Sequence, residues 1–150
     1  METYTLAIIG LFGLLVGSFL NVVIARLPAD SKDDQALGGR SRCPHCRAEI
    51  RWYDNIPLIS YLVLLRGKCR ACKTRISLRY PLVEIMTAVL WAAVAWNAGD
   101  DWQLAVRGIV FMTLLVPIIF IDYDHRIIPN KITYPGFIIG MALGIGFEPD

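Results

Sequence analysis

The sequence predicts an all-α polytopic membrane protein of about four transmembrane helices, with a cytoplasmic four-cysteine zinc module between helices 1 and 2. Three observations lead there. Of 150 residues, 55% are hydrophobic and only 19% are charged, with a mean hydropathy of +0.49, whereas soluble domains carry roughly 25% charged residues. The apolar residues form long uncharged runs with the bases gathered between them, and four cysteines stand as two CxxC pairs. This pattern excludes an aqueous globule, a disordered tail and a collagen-like fibre. A net charge of +2, from 15 Lys and Arg against 13 Asp and Glu, gives no reason to expect a nucleic-acid partner.

The first element is Leu6 to Ala25, 20 residues without a charge, which at 1.5 Å per residue span roughly 30 Å of hydrocarbon. A cleaved signal peptide carries its bases ahead of the apolar stretch, but here the base, Arg26, follows it, so a permanent helix is expected. Further spans are expected at about Tyr80–Trp96, at about Trp102–Ile121 with Pro117 near its end, and at Ile132–Phe147, which with 16 residues is at the short limit. Gly13 and Gly17 in the first span, and Gly136, Gly140 and Gly144 in the fourth, repeat at the interval that lets helix backbones approach closely.

Charge sets the orientation. Arg26, Lys32, Arg40, Arg42, Arg47, Arg51, Arg66, Lys68, Arg70, Lys73, Arg75 and Arg79, 12 of the 15 bases, lie between the first two spans, and Arg126 and Lys131 lie between the third and fourth. The positive-inside rule puts both loops in the cytoplasm. The acidic connection Asn97–Asp101, the N-terminus with Glu2 and the C-terminus with Glu148 and Asp150 are then expected outside. The expected division is residues 1–26 as the first helix, 27–79 as the zinc module, and 80–150 as the remaining spans.

Cys43-Pro-His-Cys46 and Cys69-Arg-Ala-Cys72 are separated by 22 residues, 47–68. Two such turns can present four thiolates to one tetrahedral Zn²⁺, and their basic neighbours favour the thiolate. Paired disulfides and redox CxxC motifs are the alternatives, the first disfavoured in a reducing cytoplasm. His45 is expected to be a surface residue of its knuckle, because four sulfurs already fill the site. Between the knuckles, Ile56–Leu65 (IPLISYLVLL) is too short to cross a bilayer, so it is either a core element of the module or an interfacial segment facing lipid or the spans.

The third span ends in IDYDHRIIPN, Ile121–Asn130, at its cytoplasmic end. A carboxylate there is half desolvated, which suits acid–base chemistry. If the helix persists for another turn, Asp122, His125 and Arg126 share a face and Asp124 points elsewhere; interfacial anchoring is the plainer role for all of them. Glu84, early in the second span, is expected to pair with the basic loop or to cap the helix start.

GSFLNVVIARLP (Gly17–Pro28), the two knuckles, NIPLISYL (Asn55–Leu62), RGKCRACK, RYPLVE (Arg79–Glu84) and IDYDHRIIPN together strongly resemble the bacterial type IV prepilin peptidases, the GxGD-type membrane aspartic peptidases of the bacterial inner membrane. The resemblance runs in order along nearly the whole chain. It implies cleavage of the leader from prepilin and pseudopilin substrates after a glycine, on the cytoplasmic side. It also implies methylation of the new N-terminal amine with S-adenosylmethionine. Asp122 matches the first catalytic aspartate, seven residues before Pro129, and Cys43, Cys46, Cys69 and Cys72 match the zinc module. The second aspartate of such enzymes lies in a GxGD motif that does not occur in this sequence. The chain is therefore expected to be an N-terminal part needing a C-terminal half, or one piece of a split enzyme, and inactive alone. A non-catalytic, membrane-anchored zinc module serving as a binding or assembly partner is the competing class.

Overall fold

In a computed structural model, which describes residues 2–28 and 41–146, four helices follow one another: α1, Thr3–Arg26; α2, Arg79–Ala98; α3, Trp102–His125; and α4, Asn130–Gly146. The loop bases Lys32 and Arg40, the last residue of the expected fourth span, Phe147, and the C-terminal Glu148 and Asp150 lie outside the described residues. Among the described residues there is no strand, only two isolated antiparallel bridges, Arg42 with Glu49 and Lys68 with Arg75. Helices α1, α2 and α3 are long and apolar enough to cross a membrane. Helix α4 has 17 residues, about 26 Å at the helical rise.

Helix α1 packs antiparallel on α2 through its small residues. Gly17 faces Glu84 and Gly13 faces Ala88 so closely that a Cβ on either glycine would lie 2.7 Å from the opposing Cα. One turn further, Asn21 Nδ2 donates to the Tyr80 carbonyl at 3.0 Å. The close packing expected of the first span is therefore present. In α4 it is not: Gly136 touches Leu114 of α3, while Gly140 and Gly144 have nothing within 4 Å among the described residues.

Gly99, at φ +61°, terminates α2 in a backbone conformation that favours glycine. Asp101 then caps α3, its Oδ1 accepting from Leu104 N–H at 3.0 Å. Trp91 Nε1 donates to Thr113 Oγ1 at 3.1 Å, joining α2 to α3. Leu20, Val23 and Ile24 of α1, Val83 of α2, Val116 and Ile121 of α3 and Ile132 of α4 form the core at the Arg26 end of the bundle. The outer faces stay apolar and exposed, with Ile8, Leu11, Phe12, Leu15 and Phe19 on α1 and Phe137 and Ile138 on α4, as a lipid-facing surface requires.

Helix α3 ends one residue earlier than the shared face of Asp122, His125 and Arg126 requires. Arg126 is left-handed (φ +55°), and its N–H returns to the Asp122 carbonyl at 2.8 Å. This closing turn takes Arg126 off the helix, so only Asp122 and His125 keep the i, i+3 relation. Pro129, which cannot continue a helix from within, serves instead as the start of α4: its carbonyl accepts from Ile132 N–H and Thr133 N–H.

Candidate functional site

The two cysteine knuckles are built alike. In the first, Cys43 N–H donates to Ala48 O and Arg47 N–H to Cys43 O; in the second, Cys69 N–H donates to Thr74 O and Lys73 N–H to Cys69 O. Arg47 and Lys73 occupy the same position and adopt the same left-handed conformation, at φ +57° and +59°. Outside each turn a matching bond closes the loop, Ile50 N–H to Ser41 O and Ile76 N–H to Gly67 O, both at 2.8 Å. The repeated turn points both sulfurs of each CxxC to one side, and the two knuckles face each other.

All four cysteines are free, and their sulfurs lie within 4.8 Å of one another. Cys43 Sγ is 3.9 Å from Cys72 Sγ, and Cys46 Sγ is 3.9 Å from Cys69 Sγ. A regular tetrahedron of sulfurs with Zn–S bonds of about 2.3 Å has edges of about 3.8 Å, so this donor set fits a tetrahedral metal ion, and the distances are far beyond a disulfide's. Thr74 holds the Cys72 thiol down at about 6, first through its hydroxyl and then through its amide. At Cys46 the Ala48 amide favours the thiolate, but desolvation and the three neighbouring sulfurs outweigh it and push the thiol up to about 11. Backbone donation from Cys46 lowers Cys43. His45 is exposed and is not one of the clustered ligands.

The second knuckle is tied to the segment before Ile56 by an ion pair that the sequence did not announce. Arg70 clamps Asp54 through Nε–Oδ2 at 2.9 Å and Nη2–Oδ1 at 2.6 Å, with the Asp54 side chain only 5% exposed. The Arg70 hydrogen bond holds the Asp54 carboxyl below its ordinary value. Both Arg51 and Arg70 lie over the Tyr53 ring, at 5.8 and 5.7 Å. A cavity of about 650 Å³ opens between this module and the ends of α1 and α2, with Asn21, Arg51, Asp54, Tyr61, Tyr80 and Glu84 among its walls. Glu84 neither pairs with the basic loop nor caps α2. It is buried, and its Oε2 accepts the Leu58 N–H at 2.9 Å.

At the end of α3 the two aspartates differ. Asp124 is ion-paired with Arg79 at the start of α2, and Arg79 also donates to Phe120 O at 3.2 Å and lies over the Phe120 ring. The Asp122 side chain is exposed, with no hydrogen bond or ion pair among the described residues. Arg79 could have been suspected from sequence only as one more loop base, since its partner is 45 residues away.

Residues 11–98 match the model of the bacterial peptidase A24 N-terminal domain, which takes in most of α1, the four-cysteine module and all of α2. The chain belongs to this family. Over 138 residues it is 50% identical to the prepilin leader peptidase/N-methyltransferase of Myxococcus xanthus, covering 92% of this chain and 40% of that protein. Against the prepilin leader peptidase/N-methyltransferase of Neisseria gonorrhoeae it is 37% identical over 172 residues, covering 99% of this chain and 59% of the relative. For the Pseudomonas aeruginosa protein of the same description the identity is 42% over 151 residues, with 87% and 51% covered. The chain thus spans about half the length of the curated relatives it matches. No solved structure matches it. Of the site residues, the A24 N-terminal domain match includes the four cysteines, Asp54, Arg70, Arg79 and Glu84; Asp122 and Asp124 lie beyond it.

Proposed function

We propose that the chain is the N-terminal part of a prepilin leader peptidase/N-methyltransferase of the bacterial inner membrane, with Asp122 the first of its two catalytic carboxylates. The observation that carries this is the contrast at the end of α3: Arg79 holds Asp124, while Asp122 stands free beside it at the membrane boundary. Two carboxylates divide the work of an aspartic peptidase. One takes a proton from water as its oxygen attacks the scissile carbonyl carbon; the other gives a proton to the departing amine. Asp122 supplies one of these, and the rest of the protein supplies the other from its GxGD motif. The names carried by the relatives support prepilins and pseudopilins as substrates.

Residues 27–79 form the metal module, facing the cytoplasm by the distribution of bases. There Cys43, Cys46, Cys69 and Cys72 hold a structural Zn²⁺, which when bound fixes the two knuckles against each other. Residues 80–150 begin the peptidase domain. The relatives' designation as N-methyltransferases supports methylation of the new N-terminus, with S-adenosylmethionine as the donor. A cofactor of this size suits the cavity between the module and α1 and α2, whose volume falls within the range of small-molecule pockets.

The deciding experiment is cleavage of a prepilin by the complete protein. Asp122→Asn is expected to abolish cleavage with zinc content unchanged, and Asp124→Asn to reduce it more mildly through the lost Arg79 contact. Methylation of pre-cleaved pilin is expected to survive Asp122→Asn, because it needs no activated water. Wild-type cleavage by Asp122→Asn would return Asp122 to an anchoring role.

A further inference from the structure

The segment Ile56–Leu65 has two edges. Ser60 is buried and Ile56, Leu58, Tyr61 and Leu65 line the cavity, whereas Ile59, Leu62, Val63 and Leu64 point outward; Leu62 and Val63 are each 65% exposed. The outward edge carries no polar side chain. A run of four large apolar groups facing water would be unusual.

The depth of the segment is set by its contact with α2. Glu84, which holds Leu58, lies against Gly17, nine residues inside Arg26 along α1, or roughly 13 Å at the helical rise. The uncharged run of α1 continues from that level to Ala25. Even after the Glu84 side chain leans toward the N-terminus of its helix, Leu58 remains on the bilayer side of Arg26.

Irregular backbone survives at such depth only if its polar groups are satisfied by protein, and five N–H groups of this stretch find protein acceptors. Leu58 N–H goes to Glu84, Ser60 N–H to Ile56 O, Leu62 N–H to Leu58 O, Leu65 N–H to Ser60 O and Gly67 N–H to Tyr61 O. The short π-helical turn Ser60–Leu64 and the left-handed Leu58 are the means by which a run containing Pro57 closes these bonds. Immediately beyond the segment come Arg66 and Lys68, both exposed and placed to reach the headgroup layer.

We infer that residues 56–65 form a re-entrant element seated in the leaflet on the Arg26 side, with Ile59, Leu62, Val63 and Leu64 in contact with lipid acyl chains. The metal module is thereby clamped to the bilayer at a third place besides its two helix connections, and the buried carboxylate of Glu84 serves as the internal acceptor that lets the backbone enter. This role is independent of whether the chain takes part in prepilin cleavage.

The test uses the full chain in lipid nanodiscs with trifluoromethyl-phenylalanine incorporated singly at Val63, at Ile8 as the lipid-facing reference, and at Arg75 as the aqueous reference. Fluorine relaxation is measured with doxyl-labelled lipid and, separately, with a water-soluble gadolinium chelate. The Val63 probe is expected to be broadened by doxyl lipid as strongly as the Ile8 probe and to respond to gadolinium several-fold less than the Arg75 probe. A Val63 probe that follows Arg75 would show a water-facing edge and overturn the inference. A probe shielded from both reagents would show an edge covered by protein, and would overturn it equally.

Discussion

Adding one methyl group to the contact between α1 and α2 tests the packing of the whole bundle. In Gly13→Ala the new Cβ would stand 2.7 Å from Ala88 Cα and 3.2 Å from Ala88 N, where carbon atoms prefer about 3.5–4.0 Å. Backbone cannot step aside as a side chain can, so the helices must part by about 1 Å. A gap of that size forfeits a quarter to a half of each dispersion contact; roughly forty pairs losing about 0.05 kcal/mol each cost about 2 kcal/mol, within the usual range of overpacking, about 1–3 kcal/mol. Gly17→Ala meets Glu84 Cα at the same 2.7 Å and forces the same separation. The double variant is therefore expected to cost clearly less than the sum of the two singles. Gly10→Ala is the control, since none of the described residues lies within 4 Å of a Cβ placed there; it is expected to be neutral or stabilising by up to about 1 kcal/mol. Reversible unfolding by SDS titration in bicelles, followed by tryptophan fluorescence, measures all four. If Gly13→Ala and Gly17→Ala behave like Gly10→Ala, or if the two add in full, the backbone contact does not hold the helices together and the reasoning fails.

Replacing Cys69 by Ser is expected to take zinc from one per chain to well under one and to loosen residues 41–76 in hydrogen exchange, because metal binding and folding of such a module are coupled; full zinc occupancy in this variant would remove Cys69 from the ligand set. Asp54, its pKa lowered by Arg70, stabilises the module fully above its unfolded value of about 4 and ceases to do so as pH falls through the lower folded value. Acid also releases a thiolate-bound metal, so the relevant quantity is the stability of wild type minus that of Asp54→Asn, which should be positive at pH 7 and shrink below pH of about 4; a difference that does not vary with pH refutes it. Replacing Arg79 by Met should free Asp124 and loosen the junction of α2 with the end of α3, seen as faster amide exchange at residues 120–126; unchanged exchange would mean that the ion pair is idle. Residues of the 27–79 loop should resist an impermeant reagent added to intact cells and react in inverted vesicles, and the opposite result would reverse the topology.

The sequence by itself determined the features written in composition and local spacing. An uncharged run of bilayer length declares a helix wherever it packs, so α1, α2 and α3 were legible with their ends within a few residues. Two CxxC turns carry their own geometry, and the four sulfurs meet as their spacing implied. Partnership across the chain was not legible. The register to Pro129 singles out Asp122 in the sequence, but that Arg79 pairs with Asp124 and leaves Asp122 without a partner among the described residues was decided only by folding. Glu84 looked like a helix-start acid until the loop that needs an acceptor was laid against it. The glycine spacing of α1 and α4 is the same, yet only α1 finds a backbone opposite. In each case the deciding energy is a contact between groups distant in sequence, and such contacts depend on the relative placement of whole helices rather than on the residues beside them.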